Sequence, residues 1–305
     1  MSTLDSLSIN DIYVIATGVL MGTLARVSTL KVDFRQIPTY PSAYFNNIVF
    51  GFIASALGAI AIPALLTRDF TAITFLTLAV SQFREVRTAE RESLAALEHS
   101  EFAQRGDAYI DGIAKTFESR NYISLVTSVC TVFVIKIVNF PVLLYSILCG
   151  AAAGFLVMFF CYRFTKGKNV GEICDVHIGR MEVRGSELFV DDIFVTNYLG
   201  WDVTRALFET DGISVVLEPH DEASRVTLDN LGQRQAIMFE AVRSLGVRKY
   251  RFMELHIPSG KIIIAFVPII HDPERLIKAV KNTPILENSH KVKRVMQTSL
   301  EASDE

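Results

Sequence analysis

One lone carboxylate and one carboxylate pair offer the plainest route to chemistry in this chain. Asp111 stands beside Gly112, and Asp192 follows Asp191 in a stretch that alternates like a strand. Like charges held together cannot both ionise, so Asp111 and Asp192 brought face to face would share a proton and activate water, as in aspartic-type proteolysis. Two features oppose this. Asp111 falls within helical periodicity instead of a strand and turn, and no Asp-Thr-Gly or Asp-Ser-Gly triplet occurs. A second polar grouping, Asn230, Gln233 and Arg234, places an amide and a guanidinium one helical turn apart. That face could clamp a carboxylate or phosphate, while a solvated helix face is the plainer reading.

Other chemistry is thinly represented. No P-loop, GxGxxG, HExxH, GxSxG or kinase constellation is present, and His177, His220, His256, His271 and His290 are scattered singly. Cys130, Cys149, Cys161 and Cys174 show no CxxC spacing, which points to apolar packing, with no disulfide framework and no zinc site. The expectation is therefore no metal and no cofactor. A net charge of −3 gives no attraction to nucleic acid.

The elements that must position these groups divide the chain in two. Tyr122 to Phe140 and Val142 to Tyr162 are long apolar runs, broken only by Lys136 and the Asn139-Phe140-Pro141 turn. Runs of about 20 apolar residues match the hydrocarbon core of a bilayer, and so short a turn makes a helical hairpin. Ile12 to Leu30 and Tyr44 to Leu66 are also long enough to span, whereas Phe70 to Phe83 is short and reads as a tilted span, a re-entrant segment or a packed helix. Asp5 and Asp11 at the front of the first block argue for a retained anchor over a cleaved signal. Arg84, Arg87, Arg91, Arg105, Lys115 and Arg120 before the hairpin, with Arg163, Lys166 and Lys168 after it, place both flanks in the cytoplasm. Five spans with the N-terminus outside and the C-terminus inside satisfy that rule; four would place the N-terminus inside.

Inside these blocks small residues recur at four-residue spacing: Gly18 and Gly22, Gly51 and Ser55, Ala54 and Gly58, Gly150 and Gly154. This spacing predicts close packing within the bundle, with a homo-oligomer face as the alternative. Arg26 and Lys136 lie near span ends, where they are expected to reach the interface, so a transporter finds no pathway carboxylate.

Between the third block and the hairpin, Thr71 to Ala96 lacks glycine and proline and predicts one long protruding helix. A second helix starts after Gly106, with Asp107 as cap. It carries Tyr109, Ile110, Ile113 and Phe117 on one face, and Asp107, Asp111, Lys115 and Glu118 on the other. It is expected to lie at the membrane interface before the hairpin. Gly112 within it predicts a close backbone approach, since glycine there weakens a helix by about 1 kcal/mol relative to alanine.

The stretch Ala108 to Ala114 reads AYIDGIA and resembles the signature of the YIEGIA family of membrane proteins of spore-forming Firmicutes, with Asp111 in place of that motif's glutamate. The signature residues are Tyr109, Ile110, Asp111, Gly112, Ile113 and Ala114. The resemblance extends to Ile37-Pro38-Thr39-Tyr40-Pro41, to Phe83 to Glu92 and to Asn230 to Ala236. It implies a multipass membrane protein associated with sporulation, and no established activity.

From residue 166 onward charges are dense and apolar runs are short, which reads as a water-soluble α+β domain. Strands are expected at Glu187 to Asn197 and Ile213 to Leu217, with a hairpin of Tyr250 to Ile257 and Lys261 to Ile269 around Pro258-Ser259-Gly260. Helices are expected at Thr227 to Leu245, stopping at Gly246, and from Asp272-Pro273 to Lys281. The expected organisation is a transmembrane domain over 1–165 with a cytoplasmic helical loop at 84–121, a cytoplasmic α+β domain over 166–287, and a flexible tail over 288–305. The expected function is binding of a cytoplasmic protein partner at the bacterial plasma membrane during sporulation, in a regulatory or scaffolding role; a membrane-tethered aspartic-type protease is the alternative.

Overall fold

A computed structural model describes residues 8–33, 41–138, 140–165 and 167–289. Residues 37–40 of the proline-rich stretch, Asn139, and most of the expected tail lie outside the described residues. The chain divides into two compact units: the described residues up to 93 with 113–165, and 94–112 with 167 onward.

The first unit is helical. It contains α1 (Ile9–Asp33), α2 (Pro41–Leu66), most of α3 (Phe70–Glu98), most of α4 (Asp107–Val138) and α5 (Leu143–Thr165). Four helices, α1, α2, α4 and α5, are long and apolar enough to cross a bilayer. α3 is one continuous helix, as its lack of glycine and proline predicts, but its apolar part ends at Phe83 and charged residues follow, so it falls outside that set. The interfacial helix and the first arm of the hairpin prove to be a single helix, α4. Nothing in Ser119 to Ile123 breaks the hydrogen-bond ladder, so the helix carries straight on.

Small residues work inside this bundle. A β-carbon at Gly22 would sit 2.5 Å from the Ser124 carbonyl and from Ser55 Oγ, and one at Gly58 would sit 2.5 Å from the Leu125 carbonyl. The backbones of α1 and α2 thus approach α4 closely. Ser128 Oγ donates to the Ser55 carbonyl at 2.7 Å, which ties α4 to α2. We expect Gly22→Val to destabilise the bundle by roughly 2–3 kcal/mol through overpacking. Loss of a cooperative melt of the detergent-solubilised chain would show it, and an unchanged melting temperature would refute the packing.

Arg26 departs from expectation. Instead of reaching the interface it is fully buried, with Nη2 donating to Asn47 Oδ1 of α2 at 2.8 Å, Nη1 to Thr29 Oγ1 at 3.2 Å, and its guanidinium 5.3 Å from the centroid of the Phe117 ring. A guanidinium surrounded by polar and aromatic partners costs less inside than its charge alone implies. Lys136 pairs with Asp11 of α1 at 2.5 Å.

The second unit is built on a four-stranded antiparallel sheet in the order β1 (Cys174–Ile178), β5 (Ile213–Pro219), β7 (Lys261–Pro268), β6 (Val247–His256). β5 and β7 are central and read as nearly continuous apolar runs because both faces are covered. A smaller sheet of β2 (Met181–Arg184), β3 (Glu187–Val190) and β4 (Ile193–Thr196), together with α6 (Asp202–Asp211), packs one face through Leu188, Val190, Phe208, Val216, Ile263 and Ala265. The helices α7 (Glu222–Asp229), α8 (Leu231–Leu245) and α9 (Pro273–Lys281) contact the four-stranded sheet as well.

Two expected elements are subdivided. The strand 187–197 is a hairpin turned at Asp191 and Asp192, whose φ angles of 49° and 60° are those of a tight two-residue turn, a conformation aspartate tolerates. The helix 227–245 is broken at Asn230, whose ψ of 123° leaves the helical region while its side chain accepts from the Gln233 amide. α9 begins as the Asp272-Pro273 pair predicts, with Asp272 Oδ1 accepting from the Arg275 amide. α6, β1 and β2 carry no strong sequence signal.

Candidate functional site

The signature segment lies within the second unit up to Gly112, packed along α8. α3 ends at Glu98, which is only 8% exposed. Its carboxylate accepts from the backbone amides of Arg105 at 3.0 Å and Gly106 at 3.1 Å, and pairs with the Arg105 guanidinium at 3.4 Å. One buried side chain therefore closes the loop between α3 and α4. Gly106 turns the chain with φ +86°, and a β-carbon there would lie 2.5 Å from Gln235 Oε1 of α8. The Gly106 carbonyl then accepts from the amides of Tyr109 and Ile110, starting α4.

Tyr109 and Ile110 are buried, as the amphipathic pattern predicts, but Tyr109 is covered by α8 of its own unit and not by the bundle or the headgroup boundary expected for this face. A buried tyrosine needs a partner for its hydroxyl, and here Oη donates to Glu240 Oε1 at 2.6 Å while the ring meets Phe239 edge-on at 6.1 Å. Phe239 is also covered by Arg105, whose guanidinium lies 4.8 Å from the ring centroid, and Arg243 donates to Glu240 Oε2 at 3.0 Å. Glu98, Arg105, Phe239 and Glu240 were not legible as a group. The signature's tyrosine implied a polar partner, but 33 acidic residues competed for the part.

Ile113 and Ala114 of the signature are buried in the first unit. Gly112 differs from expectation: a β-carbon there would meet only Leu286 Cδ2, at an ordinary 3.7 Å, so no close backbone approach requires glycine.

The polar groups singled out by spacing have separate surroundings. Asp192 is 84% exposed in its side chain and pairs with Arg184 at 2.7 Å, while Asp191 accepts from the Arg180 amide at 2.7 Å. Asp111 lies in the first turns of α4. Asn230 caps α8. Gln233 is fully buried: its amide nitrogen donates to the Pro284 carbonyl at 3.1 Å, and its oxygen accepts from the Leu286 amide at 2.8 Å and Ser289 Oγ at 2.9 Å. Both polar ends of Gln233 are thus occupied by the segment after α9. Arg234 Nε is buried with no hydrogen-bond partner among the described residues. Burial pushes the Cys174 thiol up to about 12, and its Sγ donates to the Val170 carbonyl, so this cysteine packs as an apolar group.

Elsewhere on the second unit the loop before α6 and the first turn of that helix present large apolar side chains to solvent. Tyr198, Trp201 and Val203 are 78%, 75% and 69% exposed. Leu199 between the first two and Thr204 just after the third are buried, the Leu199 amide donates to the Ser186 carbonyl, and Thr204 Oγ1 donates to Tyr250 Oη at 3.1 Å. The outward side chains are therefore held on an anchored backbone.

Fold and site together define a class: a bundle with four helices long and apolar enough to cross a membrane, in a chain that also carries an α+β unit. Within that class the chain belongs to the YIEGIA protein family, whose model matches residues 14–296. It is 38% identical over 287 residues to the "Uncharacterized protein YphB" of Bacillus subtilis (strain 168), an alignment that covers 91% of this chain and 93% of the relative. No solved structure matches the chain.

Proposed function

We propose that this protein is a membrane-anchored binding protein whose α+β domain engages a protein partner through Tyr198, Trp201 and Val203. The observation that carries the reading is the exposure of the chain's single tryptophan on a backbone fixed by its buried neighbours. Aromatic side chains that are solvated yet pre-positioned are the residues that dominate binding energy at interfaces, because little conformational entropy is lost when they are covered. The basic stretches around 84–120 and 163–168 argue for a cytoplasmic domain at the bacterial plasma membrane. Spore formation as the setting rests on the family resemblance.

A photo-crosslinking residue in place of Trp201, in the full chain in sporulating cells, tests the assignment against the same residue in place of Glu222. We expect a discrete adduct at 201 alone, and a fall in spore yield with Tyr198→Ala plus Trp201→Ala at unchanged protein level. Absence of an adduct at 201, or normal yield from the double variant, would overturn it.

A further inference from the structure

β6 is the longest strand among the described residues and stands at the edge of the four-stranded sheet, paired with β7 on one side. On its other side it forms no ladder, and its backbone makes no further hydrogen bond to the backbone of any described residue, apart from the His256 carbonyl, which accepts from the Gly260 amide at the hairpin turn. β4 packs near it without pairing. A row of unpaired amides and carbonyls is a template for a further strand, and proteins blunt such edges with bulges and charge. Here the bulges stop halfway. Register shifts fall between Val247 and Arg251, where Tyr250 takes a φ of 55°, whereas residues 251–256 pair one by one with 266–261 and present a regular edge about 20 Å long.

We propose that this edge takes an extended acidic segment of the protein partner as an added strand, an inference that rests on the binding reading above and names how the partner is held. Two observations set the chemistry. The strand is basic, with Arg248, Lys249 and Arg251 against one carboxylate, Glu254. Arg248 and Lys249 are exposed, and Arg248 pairs with Asp211 at 2.6 Å. Arg251 lies 4.9 Å from the centroid of the Phe102 ring, and its Nη1 is buried with no hydrogen-bond partner among the described residues. Acidic side chains on the incoming segment supply the counter-charge this edge lacks. The edge also adjoins the exposed aromatic patch: Thr204 Oγ1 donates to Tyr250 Oη at 3.1 Å, so a strand laid along β6 runs beside the turn that carries Trp201 and Val203. Main-chain hydrogen bonds then supply affinity, while the basic and aromatic side chains choose the sequence.

The test pans the full chain in nanodiscs with a library of random dodecapeptides, and repeats the selection on Arg248→Glu plus Lys249→Glu, a reversal at two exposed positions that is expected to leave the fold intact. The parent chain is expected to enrich acidic, proline-poor sequences and the reversed chain basic ones. N-methylation of alternate backbone amides in the best binder should weaken binding about tenfold or more in one phase and leave it unchanged in the other, because only every second amide of an added strand points at β6. Amide exchange across 251–256 should slow when that peptide is bound. The proposal is overturned if no peptide is enriched, if both chains enrich the same acidic sequences, or if N-methylation has the same effect in both phases. It is equally overturned if 251–256 becomes protected with rising protein concentration and no peptide, which assigns the edge to a second copy of the chain. A discrete adduct at Trp201 alongside any of these failures keeps the partner-binding reading and removes only the added strand.

Discussion

Replacing Glu98 by alanine will lower the stability of the α+β unit by roughly 3 kcal/mol, the lower end of the cost of leaving a buried charge without its partner. The substitution removes the acceptor of two backbone amides and the nearer carboxylate of Arg105, which is itself only 5% exposed. Glu101 keeps Arg105 from complete isolation, but at 3.7 Å and with a side chain 42% exposed it compensates only weakly. For a unit of this size the loss corresponds to a fall in melting temperature of roughly 6–10 °C. Protease sensitivity should rise between 99 and 106. Glu101→Ala is the control and should cost less than about 1 kcal/mol. Equal melting temperatures for the two variants would show that Glu98 does not close the loop.

The second large effect is expected at Gln233. Leucine has nearly the same reach but neither donor nor acceptor, so Gln233→Leu leaves the Leu286 amide and the Pro284 carbonyl without the partner they have now, while Ser289 Oγ keeps the Leu286 carbonyl. Burying unsatisfied groups costs about 1–3 kcal/mol each, offset in part by the apolar surface leucine gains, so a net loss of roughly 2–4 kcal/mol is expected. The segment should detach before the unit melts. Hydrogen exchange at 285–289 faster than in the parent chain, with the β5 and β7 amides still protected, is the expected signature. Exchange at parental rates would place the hold on this segment in its backbone contacts with Lys168 and Val170 instead.

What could be read from the residues in order depended on the range of the interaction. α9 was legible because Asp272 and Pro273 act within one turn, and the β6–β7 hairpin because Pro258 to Gly260 act within three residues. The face of Tyr109 and Ile110 followed from helical spacing. Asn230 misled because the residue that breaks a helix here is also a common surface residue, and only its ψ angle reveals that it caps a new one. Asp191 and Asp192 misled in the same way, since an aspartate pair can be either strand or turn. The partners of the signature could not be reached at all: Tyr109 and Glu240 are separated by 131 positions, and no local pattern links them. A glycine such as Gly112 inside a helix needs a reason, and only the space around its α-carbon shows that close packing is not that reason.

The burial of Arg26 bears on how the bundle is made. Alone in lipid, α1 would carry a guanidinium near the end of a span, at a cost below the roughly 3 kcal/mol of a span's centre, with Thr29 as the partner on its own helix. Asn47, which holds Nη2, arrives only with α2. If α1 and α2 cross a bilayer, the first helix is unfinished until the second is synthesised, and the two are expected to leave the insertion machinery as a pair, with Arg26 passing from water to Asn47.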